Sequence, residues 1–376
     1  MRWSNLEIGE EERARLPGYR EEAVVRHFDA PEAVETRFYE VRAKSILNRV
    51  PESSQVPFRW TINPFRGCTH SCSYCFARPT HKYLDFNAGR DFEREIVVKV
   101  NAPELLRAEL ARPSWKGEHV ALGTNTDPYQ WVEGRYKLMP GIWEAMRDAV
   151  NPCSVLTKSP LLLRDLELMK QIAERTEFSA ALSVPTVDER AWRTTEPRSP
   201  NPRARLEAVA ELNRAGIRTG VLVAPLMPGI NDAPEQVAPI LEMASAAGAA
   251  YVTGIALHLR GDVKSLFFEW LREHRPDLIP LYRRLYQRGA YLHPEERRRI
   301  SQLVKGPELS PGERMRGTFA PRGANEQNGT GARAGAGDWR GAGKTAGAGG
   351  PSDPPDRGGL GTSGGSGWLP DQGRLF

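Results

Sequence analysis

Cysteine is scarce in this chain, at four among 376 residues. Three of the four fall within eight positions, where they cannot all pair with one another, so a disulfide framework is excluded. Long apolar runs are missing too. No stretch approaches the length of a membrane-spanning helix, and the opening Met1-Arg2-Trp3-Ser4-Asn5-Leu6-Glu7 lacks the pattern of a signal peptide. The expected setting is therefore the cytoplasm, with no membrane partner, where clustered thiols stay reduced and read as metal ligands. Charge of one sign is also in short supply. A net charge of +5 permits nucleic-acid binding without implying it. The local basic stretch from Arg283 to Lys305 reads as a solvated helix face. A Gly-x-Gly-x-x-Gly turn after the first strand is absent, which argues against dinucleotide binding.

What is present is a rhythm. Strands are expected at 59–63, 119–123, 154–157, 178–184, 218–225 and 251–259. Helices are expected at 103–112, 141–150, 161–175, 202–215, 234–247, 263–274 and 278–287. Gly216, Gly248 and Gly289 stand just past helix ends, where a left-handed residue closes the last turn. Six strand–helix alternations predict a parallel sheet with helices outside it. Residues 1–57 read as an N-terminal extension packed on that domain rather than a core layer, and residues 58–310 as the domain itself. Residues 311–376 hold 19 of the 35 glycines and too few large apolar side chains to offset the entropy of ordering. They read as a disordered tail.

The loop Asn63-Pro64-Phe65-Arg66-Gly67-Cys68-Thr69-His70-Ser71-Cys72-Ser73-Tyr74-Cys75-Phe76 follows the first strand, with its cysteines spaced C-x3-C-x2-C. Three thiolates so close suit a metal or an iron–sulfur cluster and leave one coordination position open. In parallel α/β folds the functional groups gather at the C-terminal ends of the strands. The other strand ends carry Gly123-Thr124-Asn125-Thr126-Asp127, Thr157-Lys158-Ser159-Pro160, Ser183-Val184-Pro185, Ala224-Pro225 and His258-Leu259-Arg260. Turn chemistry accounts for the Pro, Gly and Ser. It does not call for Lys158, Asp127, His258 and Arg260 on one rim. The rival for the loop is a structural zinc site with His70 as fourth ligand, in a non-catalytic nucleic-acid-binding module. Structural zinc usually draws on two separated ligand pairs, which this loop does not offer. His70, His81 and His258 read first as surface or hydrogen-bonding residues. Arg66 and Arg78 flank the loop as ordinary arginines or as counter-charges to a cluster.

The cysteine spacing, the aromatic residue before the last cysteine and the preceding strand resemble the radical S-adenosylmethionine superfamily. Gly123-Thr124-Asn125-Thr126-Asp127-Pro128-Tyr129-Gln130, Leu156-Thr157-Lys158-Ser159-Pro160 and Val223-Ala224-Pro225 are similar to its branch related to spore photoproduct lyase, described as DNA repair photolyase-like. The resemblance spans residues 40–290 and implies a partial (β/α)6 TIM-type barrel. It further implies that Cys68, Cys72 and Cys75 hold a [4Fe–4S] cluster whose fourth iron binds S-adenosylmethionine. One-electron cleavage would then give a 5′-deoxyadenosyl radical. Tyr74 would lie near the adenine. Gly123, Thr124, Lys158, Ser183 and Ala224 fall at the cofactor-binding positions, with Lys158 toward the carboxylate. An electron donor such as flavodoxin or ferredoxin is implied, as is a nucleic-acid substrate. Modification of a peptide or small metabolite is the alternative within the superfamily.

Two departures stand out. The branch's hydrogen-donating cysteine at the end of strand two is matched by Gly123, and the tyrosine after the third cluster cysteine by Phe76. Neither can return a hydrogen atom, so the resemblance leaves the donor, and the catalytic residues generally, unnamed. Cys153 begins strand three, about 15 Å from Lys158 at strand rise, and reads as a small buried apolar residue. The closing Gln372-Gly373-Arg374-Leu375-Phe376 resembles the peptide with which bacterial repair and replication proteins bind the sliding clamp. Gln372, Leu375 and Phe376 match, and Gly373 departs from the usual leucine.

Overall fold

A computed structural model describes residues 12–28, 35–52, 54 and 56–304. Two sheets organise them. The strands in chain order are β1 (Glu12–Ala14), β2 (Ala23–Arg26), β3 (Arg37–Val41), β4 (Leu47–Arg49), β5 (Trp60–Ile62), β6 (Phe65–Arg66), β7 (Glu95–Lys99), β8 (Val120–Leu122), β9 (Cys153–Thr157), β10 (Phe178–Ser183), β11 (Thr219–Leu226) and β12 (Val252–Ala256).

The larger sheet runs β12-β11-β10-β9-β8-β5-β4. Its six strands from β5 to β12 are all parallel, each paired with the next in the chain apart from β6 and β7. This is the parallel sheet that the alternation predicts, consistent with the partial (β/α)6 barrel that the resemblance implies. β4 adds an antiparallel edge to β5. Helices cover the outer face, so the central strands are buried on both sides: every residue of β8 and β10 is buried. The helices meet them through apolar stripes of helical period, as in Leu138–Asp148, which buries Leu138, Met139, Ile142, Trp143, Ala145 and Met146. Asp188 and Asn201 cap the helices Glu189–Thr195 and Pro202–Arg214 by accepting hydrogen bonds from Ala191 N (2.7 Å) and Arg203 N (2.8 Å).

The expected helix over 161–175 divides into a 3-10 turn, Pro160–Asp165, and an α-helix, Leu166–Ala173. Ser159 and Pro160 start the tighter turn, and the carboxylate of Asp165 is taken up by Tyr129 and Arg164. The strand expected over 251–259 shortens to β12, and β11 shifts register against it between Val223 and Leu226.

The segment before residue 58 does more than pack on the barrel. β1, β2 and β3 join β7 and β6 in a second sheet of order β1-β2-β3-β7-β6, with β3 and β7 parallel and the other pairs antiparallel. One face carries a small core of its own, with Leu16, Ala23, Val25, Tyr39, Val41, Leu84 and Val97, while Ile96 and Val98 of β7 point into the main core. Phe28, Phe38 and Ile46 belong to the main core. Only Asn63 and Pro64 separate β5 in the first sheet from β6 in the second. The cysteine loop starts there. The tail and its terminal Gln372, Leu375 and Phe376 lie outside the described residues. Among the described residues no helix is long and apolar enough to cross a membrane.

Candidate active site

The loop is fastened from several sides. Gly67 takes φ +79°, and a Cβ there would come within 2.7 Å of the Phe92 carbonyl oxygen, so glycine is required. The Gly67 carbonyl accepts hydrogen bonds from Thr126 Oγ1 (2.6 Å) and Gln130 Nε2 (3.3 Å). Gln130 Oε1 accepts from Thr69 N at 2.9 Å. Cys68 N donates to Phe92 O (2.9 Å), Ser73 N to Thr195 O (3.0 Å), and Arg78 Nε to Cys72 O (3.1 Å). Arg78 is thus a buried brace for the loop, not an ordinary solvated arginine.

A cleft with about 960 Å³ of open space, its mouth included, lies between this loop and the strand ends. Cys68, Cys72 and Cys75 line it together with Tyr74, Gly123, Thr124, Lys158, Ser183 and Ala224. Every site residue expected from the sequence is therefore brought to one cavity. Of the four polar rim residues, Asp127, Lys158 and His258 line it as well, while Arg260 is exposed and outside it. Asp127 works as a clamp: its carboxylate accepts from Thr157 Oγ1 (2.6 Å), Lys158 N (2.7 Å) and Tyr129 N (2.9 Å), and His70 Nδ1 lies 3.4 Å away. His70 and His81 are buried rather than superficial. Burial holds the His70 pKa low, against the pull of Asp127. Cys153 is buried and absent from the cleft.

Beneath the cleft lies a network that sequence reading missed. Glu196 is fully buried and ion-paired with Arg205 at 2.6 Å, itself fully buried. The Tyr74 hydroxyl donates to Glu196, and Lys158 Nζ lies 3.5 Å from the same carboxylate. Lys158 Nζ also donates to Ser183 Oγ (2.8 Å), which donates on to Ala224 O (2.9 Å). Burial alone would raise the Glu196 pKa. The charges of Arg205 and Lys158, with hydrogen bonds from Tyr74 and Arg205, outweigh it and bring it to about 2. One signal was available: Arg205 stands on the buried stripe of its helix with Leu206, Val209 and Leu212. An arginine in a core stripe needs a buried anion.

The donor set fits an iron–sulfur cluster. All three cysteines are free thiols on one wall. Burial pushes their pKa values up, to about 12 for Cys72, so a cationic centre is what would keep them as thiolates. Backbone N–H groups of His70 on Cys68, and of Ala77 and Arg78 on Cys75, already favour the charged sulfur. Among the described residues no three His, Cys, Asp or Glu side chains converge as ligands of a single metal ion. A cluster binds its cysteines on separate irons and does not need that convergence. The polar ring of Thr124, Asn125, Lys158 and Ser183 faces the same space and suits a zwitterionic ligand.

The Radical SAM superfamily matches over residues 62–242. An uncharacterized protein of Mycobacterium tuberculosis is 45% identical over 308 residues, covering 81% of this chain and 91% of that protein. An uncharacterized protein of Methanocaldococcus jannaschii is 27% identical over 194 residues, 51% of this chain and 68% of its own length. A variant of spore photoproduct lyase, solved with bound AdoMet and dinucleoside spore photoproduct, superposes with TM-score 0.50 at 16% identity, covering 67% of this chain and 74% of that one. That likeness concerns the fold.

Proposed function

Because the chain belongs to the radical SAM superfamily, a family of enzymes that use a [4Fe–4S] cluster and S-adenosylmethionine, we propose that its cleft opens onto a nucleic acid, which it repairs or modifies. Cys68, Cys72 and Cys75 would hold the cluster. Thr124, Lys158 and Ser183, with the backbone at Gly123 and Ala224, would hold S-adenosylmethionine, and Tyr74 would border its adenine. Bound together, the two cofactors supply a 5′-deoxyadenosyl radical after one-electron reduction by a donor such as flavodoxin or ferredoxin. The chain's own contribution is placement. Glu196 fixes Tyr74 and Lys158 from below, and Ser183 holds the Lys158 ammonium toward the cavity.

The observation carrying the substrate class is a row of aromatic rings at the cleft. Phe76 and Tyr291 are 51% and 52% exposed, large apolar surface left to solvent. His258 stands between them, 5.8 Å from Phe76 and stacked on Tyr291 at 5.6 Å. Exposed rings beside a reactive cavity offer stacking faces to unpaired bases, which is how enzymes receive a base taken out of its stack. Gly123 and Phe76 bring no hydrogen-donating group to the cavity, so the product radical is quenched differently from the lyase branch. Binding of a sliding clamp through Gln372, Leu375 and Phe376 belongs to the same reading.

Anaerobically reconstituted protein should be brown with about four irons per chain and should cleave S-adenosylmethionine after reduction. Deuterium should appear in 5′-deoxyadenosine from labelled single-stranded or damaged DNA or from RNA. Transfer from a labelled peptide alone would move the assignment to peptide modification.

A further inference from the structure

On the second sheet, away from the cysteine cleft, a small pocket open to solvent is lined by Tyr19, Lys44, Ser45, Asn48, Arg66 and Lys99, with Gly18 and Ala43. Among the described residues that line it, three side chains are cationic and none is a carboxylate. Lys99 ends β7 and is 7% exposed. Among the described residues no hydrogen bond or ion pair reaches its Nζ; only its backbone N–H is engaged, with Pro64 O at 3.0 Å. Among the described residues the acid that influences it is Glu109, whose oxygens accept from the backbone N–H groups of Ile46 and Leu47 (2.8–3.3 Å). A buried ammonium without a partner is costly. Burial first, then the charge of Arg66, bring the Lys99 pKa down to about 7, with Glu109 pulling weakly the other way. Burial also raises the Tyr19 pKa, so its hydroxyl keeps a proton to donate.

We propose that this pocket binds a tetrahedral oxyanion of the phosphate class, held by Lys99, Lys44 and Arg66 with the Tyr19 hydroxyl as a neutral donor. An anion there gives the Lys99 ammonium the partner that the described residues do not supply. It also sits on β6, whose Arg66 is two residues from Cys68, so its occupancy braces the strand from which the cysteine loop departs. The shared chemistry has two sources: a free phosphate, or a backbone phosphate of a bound nucleic acid.

The test is a sulfate titration of the full-length, cluster-loaded protein at pH 6.5 and constant ionic strength, read by thermal unfolding. The midpoint should rise saturably with sulfate and not with chloride. Lys99→Met, which keeps the apolar stem, should weaken sulfate binding by about tenfold or more. Should that variant fail to fold, Lys44→Ala alters an exposed side chain and should weaken sulfate binding severalfold. No saturable rise in the wild type, or sulfate binding unchanged in the folded variants, overturns the proposal. A short single-stranded oligonucleotide that competes with sulfate identifies a backbone phosphate as the source. Sulfate binding without such competition identifies the free anion.

Discussion

In the seven-stranded sheet, the polar groups of the cleft collect at or just beyond the C-terminal ends of the strands, at Thr124, Asp127, Lys158 and Ser183. In the five-stranded sheet, charged groups lie within the strands themselves. Glu95 in β7 accepts hydrogen bonds from Arg37 Nε (2.9 Å), Arg37 Nη2 (2.7 Å) and Tyr39 Oη (2.8 Å), and Lys99 ends the same strand. Parallel strands buried on both faces have no room for charge along their length, so polar groups move to the loops, where they meet across one cavity. A smaller sheet with a thin core can keep ion pairs along its strands. The larger sheet assembles the chemistry, and the smaller one holds the start of the loop that carries it.

The sharpest break between the two is Cys72→Ala. Removing one thiolate should abolish both cluster binding and S-adenosylmethionine cleavage while the circular dichroism of the fold persists. Retained cleavage would overturn the ligand assignment. Next comes Glu196→Gln, which strips the countercharge from buried Arg205 and Lys158 and should cost roughly 3–5 kcal/mol. The carboxylate's pKa is depressed in the folded state, so the stability it contributes is present above its unfolded value and lost as pH falls toward about 2. The gap between wild type and variant in denaturant titrations should therefore hold from pH 8 to 5 and close in stronger acid. A constant gap down to pH 2 would show that the charge is not what matters.

Gly67→Ala tests the junction between the sheets. Its Cβ meets the Phe92 oxygen and its φ is positive, so a loss of about 3 kcal/mol is expected. Gly117→Ala, with positive φ but nothing within 4 Å, should cost less. Similar losses at both would mean that the loop yields easily.

The smallest effect belongs to the second sheet. His81 Nε2–H donates to Glu95 O (2.8 Å), and burial lowers its pKa to about 4. The unfolded chain takes up that proton first as pH falls from about 6.5 to 4, so stability should drop by about 2 kcal/mol over that window. His81→Gln should flatten the slope. An unchanged slope would place the acid sensitivity elsewhere.

The six parallel strands were legible because each is a compact apolar run bounded by turn residues, and the cysteine loop because its spacing is local. β7 was not. Glu95-Ile96-Val97-Val98-Lys99 is framed by charges and interrupts the first strand–helix unit, where the alternation leaves no place for an extra strand. β6 is two residues long and exists only through its pairing with β7. In the site, Tyr74 is legible in the cysteine motif and Lys158 and Ser183 at strand ends, but the residue joining them is not. Glu196 lies in the turn after Glu189–Thr195, and its partners Tyr74, Lys158 and Arg205 come from three other segments of the chain. No periodicity marks such a residue, although the misplaced charge of Arg205 pointed toward it.

The two-residue span of Asn63 and Pro64 has a thermodynamic consequence. With β5 fixed in one sheet and β6 in the other, the cysteine loop has little slack at its first end. Inserting the cluster and consolidating the second sheet thus become linked equilibria, each raising the free energy of opening in the other. Amide hydrogens around Val25 and Tyr39, remote in sequence from the thiolates, would then exchange more slowly when iron is bound. The N-terminal strands, without a ligand of their own in the cleft, report on its occupancy.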